Sequence, residues 1–377
     1  MPSVIYHPAY QTYAFGAEHP FSPVRIEMLL ELLGVLGHPV ETIAPEPAAR
    51  EDILTVHDEE FVRRVEALSA GEDVPDCEDY GLGTPDNPAF PGMDLAARWL
   101  VGGTLHAARL VGEGAEKRAL QLGGGLHHAR RGSASGFCIY NDLAVAIRYL
   151  IQKGLWVAYL DIDVHHGDGV QQILYNDEHV LTISLHESGQ FLFPGTGEIH
   201  ELGVGVGRGL KLNIPLQPYT EGESYLEVFE KVLPVALQRF GPGVLLVQAG
   251  ADAHYSDPLA DLMLTSRDYE QIFRRILEYA DQYANGKVIF TLGGGYSLTA
   301  VPRVWAILYL LLNDLPIDHD LPPEWVSKWS QRLGQSLPAT LQDPNPGYPE
   351  PAQRAEIARH NRQVADRLLD ATCRYWY

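Results

Sequence analysis

Residues 155–170 read LWVAYLDIDVHHGDGV, an almost unbroken apolar run that ends in Asp161, Asp163, His165, His166 and Asp168. Continuous apolar character marks a strand covered on both faces, the kind found in parallel sheets. Side chains alternate along an extended chain, so the pattern puts Asp161, Asp163 and His165 on one side and Leu160, Ile162 and Val164 on the other. Packing such groups together without a counter-charge costs several kcal/mol apiece, which calls for an ion-pair network or bound cations. No Lys or Arg occurs between 155 and 179. Bound cations are therefore the expectation.

Similar runs recur at 118–125 (RALQLGGG), 180–186 (VLTISLH), 244–252 (VLLVQAGAD) and 287–295 (KVIFTLGGG), each ending in Gly, His or Asp. The segments 94–111, 141–153, 222–239, 267–284 and 300–313 have helix-like composition, several with apolar residues at helical spacing. Strands alternating with such crossovers predict an α/β fold, a central parallel sheet with helices on both faces. Residues 71–93 and 186–210 read as long loops, which in a compact domain carry function. GVGVGRG at 203–209 is no dinucleotide fingerprint, because the strand-like LKLNIPL follows it instead of a helix. The pattern changes near 315, so residues 1–336 are expected to form a catalytic domain. Residues 337–377 then form a proline-rich strap and a terminal helix, docked on the domain or on a partner chain.

A hydrophobic fraction of 46% supports a sizeable core, and 28 basic against 49 acidic residues give a formal charge of −21. Such a surface repels nucleic acid and anionic membranes and favours cationic partners. Cys77, Cys138 and Cys373 are widely spaced and form no CxxC, which argues against a disulfide framework and a cysteine zinc site. With no signal-like start and no long apolar run, a cytoplasmic location is expected.

Strand ends of a parallel sheet gather along one edge, where sites form. There the chain offers His127 and His128, Ser184 and His186, Asp252 and His254, and Tyr296, beside the acids of 161–168. Catalytic zinc commonly keeps three protein ligands and one open position, a count that Asp163, His165 and Asp252 satisfy. The histidine pair suits proton transfer, with Asp161 and Asp168 to orient it.

The order and content of GGGLHHARRGSASGFCIYND, DIDVHHGDGVQ, FLFPGTGE, GADAHYSDPLA and LGGGYS resemble the zinc-dependent histone deacetylase superfamily, within it the bacterial acetoin-utilisation (AcuC) type. The resemblance runs from about residue 19 through Tyr296 and somewhat beyond. It implies the arginase/deacetylase fold and hydrolysis of acyl groups from lysine or small amines. It makes Asp163, His165 and Asp252 zinc ligands, His127 and His128 the acid/base pair supported by Asp161 and Asp168, and Tyr296 the oxyanion donor. Gly136, Phe137, Phe193 and Leu259 would line a substrate channel, and Asp86 would bind the backbone of a peptide substrate. A structural potassium ion would sit on Asp161, the Ser184 hydroxyl and the carbonyls of Asp163, His165 and Leu185. Fe(II) could replace zinc, since a mixed O/N site does not select one metal by ligand type.

Two positions depart from the family pattern: Leu126 stands where Trp is common, and His254 and Tyr255 lie where they could tune substrate preference. Three readings compete with a deacetylase of protein lysine: an acetylpolyamine or other small acyl-amine amidohydrolase, a two-manganese ureohydrolase, and a binding module without turnover. The physiological substrate, acyl length preference and oligomeric state are not legible in the sequence.

Overall fold

The computed structural model describes residues 2–317, 320–345 and 347–376. Among them seven strands form one sheet: β1 (Ser3–Ile5), β2 (Arg118–Gln121), β3 (Val157–Asp161), β4 (Val180–Glu187), β5 (Lys211–Leu216), β6 (Val244–Gln248) and β7 (Val288–Thr291). Their order is β1-β2-β7-β6-β3-β4-β5, and every strand pairing is parallel. The helices are α1 (Val24–Val35), α2 (Arg50–Ile53), α3 (Glu59–Ser69), α4 (Met93–Gly112), α5 (Asp142–Gln152), α6 (Asp168–Ile173), α7 (Gly222–Phe240), α8 (Ser266–Tyr283), α9 (Val301–Leu312), α10 (Pro323–Leu333) and α11 (Arg354–Cys373).

The apolar runs are continuous because both faces of the sheet are covered. Val157, Tyr159, Leu246 and Ile289 pack with Ala107 of α4 and Leu143 and Ile147 of α5 on one face. Leu160, Leu245, Val247 and Phe290 pack with side chains of α1, α7, α8 and α9 on the other. Burying each such side chain contributes about 1.5–3 kcal/mol, and a sheet with one wet face would forgo that at every second residue.

The strands stop earlier than the sequence runs suggest. β2 ends at Gln121 and β7 at Thr291, ahead of their glycine triplets, and β3 ends at Asp161, so Asp163 and His165 lie beyond the strand. Their convergence with Asp161 comes from the turn after β3 and not from strand alternation. In the opposite direction, β4 runs through Glu187, two residues into the expected 186–210 loop.

Register places a polar row across the sheet. Gln121 lies opposite Thr291, Thr291 opposite Gln248, Gln248 opposite Asp161, Asp161 opposite Ser184, and Ser184 opposite Asn213. All six are buried. The row is the boundary between apolar sheet and polar site, and most of its polar atoms bond to residues outside it, as Tyr10 Oη donates to Gln121 Oε1 at 3.0 Å, while Asn213 Oδ1 has no hydrogen-bond partner among the described residues.

Past α9 the chain returns over the domain. Asp343, in the proline-rich segment, is almost fully buried and accepts from Arg303 Nη2 and from the backbone N–H of Ser266, both at 2.8 Å. Helix α11 lies against α7 and β5 of its own chain, with Val364, Ala365 and Leu368 in the core.

Candidate active site and metal centre

The first wall of the site follows β2. Gly124 and Gly125 have φ of +74° and +71°, and a Cβ on Gly125 would stand 2.7 Å from the Gly293 Cα. The turn is held by Asp142 at the start of α5, which accepts from the N–H of Gly125 at 2.9 Å and of Leu126 at 2.7 Å and from Thr104 Oγ1 at 2.5 Å. His127 and His128 follow directly. Leu126, in the place where Trp is common in the family, is buried.

Each histidine has its own carboxylate. His127 Nδ1 is 2.8 Å from Asp161 Oδ2, which also accepts from Tyr159 Oη, and His128 Nδ1 is 2.7 Å from Asp168 Oδ1. Asp168 is the first residue of α6, where a carboxylate complements the helix dipole. Its other oxygen takes Nε and Nη2 of Arg130 at 3.1 and 2.9 Å. The absence of basic residues from 155–179 was therefore a misleading signal for this acid: Arg130 arrives from the loop after the histidine pair and neutralises it.

Environment separates the two imidazoles. Burial opposes protonation of His127, but Asp161 and Asp163 outweigh it and raise the group to about 9. Burial and the neighbouring His127 lower His128 to about 3 despite Asp168. Two groups with pKa values pushed apart are the arrangement that divides acid from base roles.

Asp163, His165 and Asp252 form a cluster whose ligand atoms all lie within 4.8 Å of one another, all three buried. Asp163 Oδ1 accepts from the His165 N–H at 3.0 Å. Its Oδ2 takes Gln248 Nε2 at 2.7 Å and the Gly294 N–H at 3.0 Å. Asp252 Oδ1 accepts from the Val164 N–H at 2.8 Å, but its Oδ2 is buried with no hydrogen-bond partner. Burial and Asp163 raise Asp252 to about 8. His165, although burial opposes it, is raised to about 10 by Asp163, whose Oδ1 is 3.0 Å from its Nδ1, and by Asp252, whose Oδ2 is 3.4 Å from the same nitrogen. Two carboxylates sharing one imidazole, with one oxygen left without a hydrogen bond, fit a divalent cation with two oxygen donors and one imidazole.

The remaining expected residues surround this centre. Phe193 places its ring 5.0 Å from His128 and is 43% exposed, which puts it at the opening. Phe137 stands 5.7 Å from the Tyr296 ring, edge to face. Gly136 lies between these rings and the pair: a Cβ there would be 2.4 Å from His128 Cδ2 and 3.0 Å from Phe193 Cε1. Tyr296 is positioned by Asp257, which accepts its N–H at 2.7 Å and that of Leu259 at 3.0 Å. Asp86 is exposed, and its carbonyl accepts from His19, whose ring packs 4.5 Å from Phe137. Ser184 sits opposite Asp161 in the sheet, and its Oγ is 2.9 Å from His186 Nδ1.

His254 does not face the pocket. Its ring is buried between Ser256 Oγ at 2.9 Å and Asp343 Oδ2 at 2.8 Å, so it anchors the strap, and the expectation that it tunes substrate preference is corrected. Four contributors carried no role in the sequence reading: Arg25, Arg130, Gln248 and Asp257. Arg25 is buried and donates to the carbonyls of Gly293 and Gly295 at 3.1 and 2.7 Å, bracing the turn that presents Tyr296. Arg130, Gln248 and Asp257 lie in or next to the quoted motifs and Arg25 far from them along the chain, but nothing local distinguishes a bracing Arg or Gln from a surface one.

Residues 19–312 match the histone deacetylase domain, so the chain belongs to the histone deacetylase family. It is a deacetylase, and the family implies a divalent metal. The chain is 44% identical over 372 residues to the acetoin utilization protein AcuC of Bacillus subtilis (strain 168), a match covering 97% of this chain and 96% of that protein. It is 39% identical over 361 residues to AcuC of Staphylococcus aureus (strain MSSA476), covering 94% and 92%. Among solved structures, an HDAC homolog complexed with SAHA superposes with a TM-score of 0.87 at 28% identity, covering 97% of this chain and 99% of that one. The α/β fold with its parallel sheet is thus the arginase/deacetylase fold. No helix among the described residues is long and apolar enough to cross a membrane.

Proposed function

We propose that the chain is a zinc-dependent hydrolase that removes acetyl groups from the ε-amine of lysine in proteins. The observation that carries this reading is the buried cluster Asp163, His165 and Asp252, in which no hydrogen bond satisfies Asp252 Oδ2, beside two histidine–carboxylate pairs. When bound, the divalent ion supplies a Lewis acid for the amide carbonyl and lowers the pKa of water from 15.7 toward about 7. Zinc suits three O and N donors, and iron(II) is the alternative that the same donors accept.

His128, held neutral by burial, takes the proton of the attacking water on Nε2, and Asp168 with Arg130 fixes its tautomer. His127, held protonated by Asp161, returns a proton to the departing amine. Tyr296 donates a hydrogen bond from its hydroxyl to the oxyanion; burial raises this phenol, so it keeps its proton while doing so. Gly136, Phe137, Phe193 and Leu259 line the entry for an aliphatic chain, and Asp86 accepts from a peptide backbone at the rim. Asp161, the Ser184 hydroxyl and the carbonyls of Asp163, His165 and Leu185 would hold a potassium ion, a reading supported by the register of Asp161 with Ser184.

Acetyl-lysine peptide and N-acetylpolyamine, compared by kcat/KM on the zinc-loaded chain, test the substrate. The peptide is expected to be favoured; turnover of the polyamine alone would overturn the reading. Tyr296→Phe should lower kcat on the peptide by about 100-fold or more with zinc content unchanged, as removal of a single oxyanion donor does elsewhere.

A further inference from the structure

A cleft of about 480 Å³ lies between α11, the Pro215 end of β5 and the 188–208 segment, apart from the catalytic cluster. Arg208, Arg367 and Arg374 open onto it. Among the described residues none of the three forms an ion pair, although the neighbouring arginines of α11, Arg354, Arg359 and Arg362, are all paired with glutamates. In a chain of charge −21 this is a local excess of positive charge that 49 acidic residues leave unneutralised. Glu198 is the one carboxylate on the wall among the described residues.

The arginines are also arranged. The guanidiniums of Arg208 and Arg374 stand 5.5 and 5.0 Å from the centre of the same Tyr375 ring, which presents both toward the cleft from different parts of the chain. His360, Arg367 and Arg374 recur every seven residues on or at the end of α11 and so share one face. Val364 and Ala371 lie between them, and Leu202 and Pro215 continue the apolar floor. Three guanidiniums thus line one cleft with a single carboxylate among its described wall residues.

We propose that this cleft binds a phosphate-bearing small molecule of nucleotide size. Guanidinium forks match phosphate oxygens in pairs, and the apolar floor accepts a flat organic body. The volume falls in the range of small-ligand pockets, roughly 300–1,000 Å³. Ser188 and Gln190 of the wall precede Phe193 in the same segment, so an occupant touches the stretch that presents Phe193 to His128.

Calorimetric titration of the zinc-loaded full chain with ADP, inorganic pyrophosphate, adenosine and an oligoglutamate peptide tests this. Saturable binding of ADP is expected, weaker binding of pyrophosphate and none of adenosine. The Arg367→Gln/Arg374→Gln variant should weaken ADP by about tenfold or more while turning over acetyl-lysine peptide as the parent does. Arg208→Gln, at an exposed loop position, should weaken ADP in the same sense without touching α11. ADP affinity unchanged in both variants overturns the proposal, as does absence of saturable binding by ADP and pyrophosphate alike. Saturation by oligoglutamate alone also overturns it and assigns the cleft to acidic peptides.

Discussion

Gly136 shows how much a missing side chain does at the residue scale. Its φ is +51°, and the space where a Cβ would go is filled by the His128 and Phe193 rings. Substitution therefore strains the backbone and displaces the base together. Gly136→Ala is expected to lower kcat by about 100-fold, the scale of loss that a misplacement of about 1 Å brings, with zinc retained. Metal content and steady-state kinetics on one preparation check this; parental kcat would show that the close approach is not needed. The two histidines make the complementary point: they are chemically identical and both buried, which opposes their charge, but Asp161 and Asp163 outweigh burial at His127 while His127 adds to it at His128.

Two contacts matter at the scale of elements. Asp343 ties the strap to α9 through Arg303, to the start of α8 through Ser266, and to the loop after β6 through His254, all with little exposure. Removing one partner from a buried ion pair leaves an uncompensated charge, so Asp343→Ala should destabilise the fold by about 3–5 kcal/mol, read from urea unfolding. Lys211 opens β5 with no exposed surface and donates to the carbonyls of Val180 at 2.7 Å and Asp177 at 3.2 Å. Burial lowers its pKa to about 7. A lysine depressed in the folded chain and normal in the unfolded chain makes U bind more protons between these values, so stability rises with pH from about 7 toward about 10.4. Below about 7 its contribution is constant. Lys211→Met should remove that slope, visible as a smaller gain in unfolding free energy between pH 7 and pH 9 than in the parent.

The whole molecule carries a charge of −21, and its field acts on encounter more than on chemistry. Acetyl-lysine peptides flanked by Lys and Arg should show kcat/KM about tenfold above Glu-flanked ones at low salt. The two should converge near 1 M salt, where the Debye length is only about 3 Å. A preference that survives high salt would place the discrimination in local contacts at the rim, such as Asp86, instead of in the overall field.

The strand-like runs, the glycine triplets and the acids at strand ends were legible in the sequence because period and composition are local consequences of burial on two faces. Six of the seven strands and six of the helices overlap the stretches read in this way, and the cluster Asp163, His165 and Asp252 came from the same reading. Others were not legible. That Gln121, Thr291, Gln248, Asp161, Ser184 and Asn213 form one row depends on register between strands far apart in the chain. That Arg130 pairs with Asp168, and that His254 serves the strap, depends on which side chain arrives from another loop. Residue types and spacing set which chemistry the chain can offer, because those are properties of neighbours along the backbone. Which charge meets which counter-charge was settled only by packing, because Coulomb energy depends on separation in space.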